Sequence, residues 1–181
     1  MLRLAPIALL AVTIFGAAAS LSMSQFGSRI SPNPRFRSPY LTADLDGDGI
    51  ADRIYLVSVA AGDKGMAPDV TVVSNLWSSQ PLGAHSEALA IAIVLGKNRR
   101  KFLITGYQGE GVSDFFASPI WGEKAVPLSV ANAGSKTARD FEHENKSIKH
   151  DILVVGTEAG IDTALYWNGT TFAVFEPEEE P

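Results

Sequence analysis

Asp44-Leu45-Asp46-Gly47-Asp48-Gly49-Ile50-Ala51-Asp52, running straight into Arg53-Ile54-Tyr55-Leu56-Val57, decides how this chain is read. Side-chain oxygens stand at loop positions 1, 3, 5 and 9 with glycine at position 6, the spacing of a loop that curls around a calcium ion. Calcium takes six to eight hard oxygen ligands, and a tightly curled backbone turns alternate side chains inward while Gly49 accepts a dihedral closed to other residues. Charge argues the same way. Four carboxylates within nine residues, with no Lys or Arg among them, repel one another. Two such charges about 4 Å apart cost roughly 1 kcal/mol in water and about 4 kcal/mol near a protein surface, so convergence calls for a cation. The expected ligands of Ca2+ are the carboxylates of Asp44, Asp46, Asp48 and Asp52 and the backbone carbonyl of Ile50, with water completing the shell. The other reading of these residues is an acidic surface turn.

An EF-hand would carry a bidentate Glu at position 12, but that position is Tyr55, inside an apolar run that reads as a strand. The ion is therefore expected to pin a loop leading into a β-strand, a structural role rather than a switch. The segment 43–52 with the run 53–57 resembles the calcium loop of FG-GAP and VCBS-type repeats, which build integrin α-chain propellers and many bacterial secreted proteins. That resemblance implies a calcium-stabilised β unit with Asp44, Asp46, Asp48, Ile50 and Asp52 at ligand positions. It covers about 15 to 20 residues of 181. The Phe-Gly expected just upstream is absent, since Phe26-Gly27 is too distant, and 57–62 only loosely echoes the Gly-Ala-Pro ending.

Outward from the loop the pattern is β. Short β-branched and aromatic runs separated by Gly, Asn, Asp and Pro place strands at 53–60, 69–76, 89–95, 101–105, 125–130, 151–157, 163–167 and 171–175. In 88–95 large side chains fall on every second position, putting Leu89, Ile91, Ile93 and Leu95 on one strand face, although a helix beginning at a Ser86 cap fits the alanines. Asn168-Gly169 between aromatic runs predicts a tight hairpin with two positive-φ residues. The polar stretch 132–149 reads as an exposed loop or a short surface helix. Asp52 and Asp151 each head a β run, a faint internal echo, but Asp151 lacks upstream carboxylates. The fold class expected is mostly β: a small antiparallel domain, either a sandwich or partial propeller-like sheets, over residues 40–176. The length suits one domain and not a propeller of many blades.

The ends read differently. Arg3, the apolar run 4–15 and the small residues 16–20 have the layout of a signal peptide cleaved after about Ala19, which makes the protein secreted or periplasmic; an uncleaved anchor is the alternative, though the run is short for a span. Residues 20–39, with Pro32, Pro34 and Pro39, read as a Pro/Ser-rich tether or an extended edge, and 177–181 as an acidic tail. No cysteine is present, so no disulfide staples the fold. Net charge is 15 − 20 = −5, or −6 without Arg3, and argues against nucleic acid as a partner; the basic cluster 97–101 reads as a hairpin tip.

Catalytic motifs are missing. There is no Gly-x-Ser-x-Gly elbow and no phosphate loop, and His85, His143 and His150 have no zinc-protease spacing. The leading expectation is an exported, non-enzymatic calcium-binding module of the cell envelope or extracellular space that meets a protein or glycan through its loops. No membrane contact is expected after signal cleavage. The alternative is an exported hydrolase of cell-wall or polysaccharide substrates using Glu110 with Asp114, beside Tyr107 in a glycine-rich stretch.

Overall fold

A computed structural model of the chain describes residues 23–32, 40–60, 65–73, 88–105, 128–156 and 162–177. The chain order is β1 (Ile30–Pro32), β2 (Leu41–Ala43), β3 (Asp52–Val59), β4 (Val70–Val73), β5 (Ala88–Val94), β6 (Lys101–Thr105), β7 (Leu128–Ala131), α1 (Lys136–Glu144), β8 (Ile152–Gly156), β9 (Asp162–Trp167) and β10 (Phe172–Phe175). The alanine-rich run takes the strand alternative, as β5.

Two sheets result. The first has the order β1-β3-β5-β6-β4, and β2 lies on the same side of β3 as β1, alongside the other half of that strand. The second is β10-β9-β8-β7. Every pairing is antiparallel except β4 with β6. Period-2 alternation sends Ile54 and Leu56 of β3, Ile91 and Ile93 of β5, and Phe102 and Ile104 of β6 into one interior. There they meet Leu153 and Val155 of β8, Leu165 and Trp167 of β9, and Phe172 of β10. The fold is a β-sandwich with that interior between its sheets.

Both outer faces are covered as well. On the first sheet Tyr55, Val57, Ala90, Ala92 and Leu103 pack under Met23, Phe26 and Ile30. Residues 23–32 therefore belong to the packed fold and β1 takes the extended-edge alternative, so regular structure begins ahead of Tyr40. Met23 and Phe26 are the apolar residues that draw this Ser-rich segment onto the sheet. On the second sheet Ile152, Val154 and Ala164 pack under Ala138 and Phe141 of α1. The helix alternative holds here because Ser135 caps it, its Oγ accepting from the Ala138 amide at 3.2 Å.

The β9–β10 connection differs from the two-residue turn expected. Phe172 pairs with Trp167, leaving four loop residues, and only Gly169 has positive φ (98°). Asn168 instead serves through its side chain: Oδ1 accepts from the amides of Thr170 and Thr171 at 3.0 Å each, an Asx turn that supports a longer loop. The tip 97–101 is a hairpin turn as expected, with Arg99 in the left-handed region at φ 58°. Residues 1–22 with the signal-peptide reading, the acidic end 178–181, and Tyr107, Glu110 and Asp114 lie outside the described residues.

Candidate metal centre

Register places the aspartate loop. Ala43 pairs with Asp52, so 44–51 is the connection of the β2–β3 hairpin. Gly47 and Gly49 stand at φ 72° and 83°, which curls the chain inward twice within three residues. Leu45 between the first two aspartates is fully buried in the sandwich interior and anchors the loop from beneath.

The curl brings Asp44, Asp46 and Asp48 together, with one carboxylate oxygen of each within 4.8 Å of the others. Part of each carboxylate shapes the loop: Asp44 Oδ2 accepts from the Gly49 amide at 3.0 Å, Asp46 Oδ1 from Asp48 at 3.3 Å, and Asp48 Oδ1 from Ile50 at 2.8 Å. The remaining oxygens are the informative ones. Asp44 Oδ1 and Asp48 Oδ2 are buried from solvent and accept no hydrogen bond from any described residue. Such an atom is costly to leave unmatched. Thr105 Oγ1, far along β6, is the third atom of this kind among the described residues.

Electrostatics mark the same point. Burial raises the Asp46 carboxyl above the usual carboxylate range, the charges of Asp48 and Asp44 raise it further, and the Asp48 amide and His150 oppose them. Burial likewise pushes Asp52 up to about 6, against the amides of Gly96 and Leu45 that stabilise its charged form.

Asp52 and Ile50 stand apart from the triad. Asp52 is fully buried, its Oδ2 accepting from the Leu45 amide at 2.8 Å and its Oδ1 from Gly96 at 2.7 Å. It braces the loop against the β5–β6 turn, and its oxygens lie outside the group formed by Asp44, Asp46 and Asp48. The Ile50 side chain is largely exposed, and its carbonyl faces Gly96, where a Cβ would stand 2.9 Å from that oxygen.

Sequence reasoning missed three neighbours. The His150 ring lies flush against Gly47, occupying the space of any Cβ there. Asp151 holds the Asp44 amide at 2.9 Å with Oδ2 and the Ala133 amide at 2.8 Å with Oδ1. Gly96 leaves the room in which the loop exit packs. Only Asp151 had a trace in the sequence, the echo of Asp52. Of the other histidines, His143 is exposed on α1 and His85 lies outside the described residues. No family model, curated protein or solved structure matches the chain.

Proposed function

We propose that the protein is an exported, calcium-stabilised β-sandwich in which Asp44, Asp46 and Asp48 hold one Ca2+, with water completing the shell and Asp52 bracing the loop from behind through the Leu45 and Gly96 amides. The observation that carries this reading is the pair of buried carboxylate oxygens, Asp44 Oδ1 and Asp48 Oδ2, that no donor among the described residues satisfies, beside a third carboxylate. An all-oxygen donor set on a curled loop suits a hard cation of high coordination number; magnesium asks for a smaller, stricter octahedron. Loose millimolar binding is sufficient outside the cell, where extracellular calcium modules work at Kd values of about 10⁻⁴ to 10⁻³ M.

The role that follows is non-enzymatic. Calcium stiffens one end of the sandwich and so holds surface loops in place for a protein or glycan partner. Melting in calcium, in magnesium and in EDTA tests the core of the proposal. Calcium raises Tm and magnesium raises it less, because the ion binds only the folded state. In calcium, Asp48→Ala melts at the temperature of the EDTA-treated native chain. A melting curve that does not move on calcium addition overturns the assignment.

A further inference from the structure

Two aspartates, each at the head of a strand, grip two consecutive amides of the loop. Asp52 at the start of β3 takes the Leu45 amide with one oxygen and Gly96, in the β5–β6 turn, with the other. Asp151 immediately before β8 takes the Asp44 amide with one oxygen and Ala133, in the turn between β7 and α1, with the other. The Asp151 amide also donates to the Asp44 carbonyl at 3.3 Å. The first clasp belongs wholly to the first sheet. The second reaches across 107 positions of chain and joins the loop to the second sheet.

We infer that Asp151 is a positioning residue for the cation loop, and that through it occupancy of the loop is coupled to the order of the second sheet's β7–α1 turn. The inference rests on the calcium reading above. Physically, Asp151 fixes the backbone of Asp44 on both its N–H and C=O, which sets where the first carboxylate of the loop can point. Its own two oxygens are engaged by amides, so its place is behind the ligands. A bound ion that orders Asp44 orders Asp151 and, through its second oxygen, the Ala133 turn. Coupling of this kind is reciprocal, so loosening the turn weakens the ion.

The test is calcium calorimetry together with amide exchange on the full chain. In the native protein, calcium slows exchange in 41–52 and also at Ala133 and its neighbours. Asp151→Asn leaves one amide facing an NH2 group. It is expected to weaken calcium about tenfold or more, the usual loss for a residue that orients a metal ligand, and to abolish the calcium response at Ala133 while 41–52 still responds. Asp140→Asn, on the exposed side of α1, removes a charge of the same sign without touching the loop and leaves both readings near native. Calcium that slows exchange in 41–52 but not at Ala133 in the native chain overturns the inference, and that arm needs no variant to fold. Calcium that alters neither segment and gives no binding heat overturns the calcium assignment itself.

Discussion

At residue 47 two demands coincide. The backbone is left-handed (φ 72°), and the His150 ring sits where a side chain would begin. Gly49, two residues on, has the same hand (φ 83°) but open space about it. Gly49→Ala therefore carries only the left-handed penalty, about 1 kcal/mol, whereas Gly47→Ala adds the displaced ring and costs about 2–3 kcal/mol. Urea unfolding in EDTA measures both without the ion, and His150→Ala in the Gly47→Ala background brings the cost back towards that of Gly49→Ala. Equal costs for the two glycine variants count against the ring's part. Asp52 gives a second residue-scale prediction. Its folded carboxyl titrates near 6 against an ordinary 3.8, so between those values the folded state holds more protons than the unfolded one. Its contribution in EDTA is therefore complete below about pH 4 and is lost as pH rises through 6. Calcium favours the ionised carboxylates and acts in the opposite sense. The Tm gained on adding calcium should grow from pH 4 to 7, and a gain independent of pH contradicts the proposed ligand chemistry.

At the scale of elements, the seam between β6 and the β9–β10 hairpin is held by rings. Phe102, Trp167 and Phe172 meet pairwise edge-on at 5.2 to 5.6 Å between centroids. The Arg100 guanidinium covers the cluster, 4.9 Å from Phe102 and 5.4 Å from Trp167, and donates to the Thr170 carbonyl at 3.3 Å. Arg100→Ala should cost about 1–2 kcal/mol, from the cation–π contact and the apolar area it shields, with a shift in Trp167 fluorescence. Arg100→Lys should recover less than half, because an ammonium cannot lie flat over two rings. The hairpin's strands were legible because aromatic residues at period 2 have no other face to occupy. So were β3, β5, β6 and β8, where β-branched runs are long enough to show their period. By contrast β2 spans three residues and β1 only Ile30–Pro32, too few for any period, and pairing with β3 alone makes them strands. The sequence leaves α1 open between loop and helix because its apolar face is just Ala138 and Phe141, and the Ser135 cap decides what that composition does not. The site divides the same way. The convergence of Asp44, Asp46 and Asp48 is local in sequence and legible in their spacing, while Gly96, His150 and Asp151 come from turns that only the sandwich brings near.

For the whole molecule, the layers run from the segment 23–32 through the first sheet, the interior and the second sheet to α1, and the outermost two are thin. The segment covering the first sheet rests on Met23, Phe26 and Ile30, with Phe26 fully buried. Backbone ties back it up: Ala67 donates to the Phe26 carbonyl at 3.0 Å, Lys101 Nζ reaches the Gln25 carbonyl at 2.9 Å, and the Arg29 guanidinium holds the Ala60 carbonyl. A true tether would have none of these, and its side chains would be free to change. Removing the Phe26 ring takes away transferred apolar area and leaves a void in the cluster it shares with Tyr55, Val57 and Ala92, residues whose strands are fixed by pairing on both sides and do not collapse into it. Phe26→Ala should therefore cost about 3–5 kcal/mol, the range for a buried phenylalanine, read as a lower urea midpoint at unchanged slope. The same substitution should leave calcium affinity near native, because Phe26 packs on the outer face of the first sheet while Leu45 anchors the loop in the interior. A Phe26→Ala protein as stable as the native chain would return 23–32 to the status of a tether and leave the outer face of β3 and β5 without a stabilising cover.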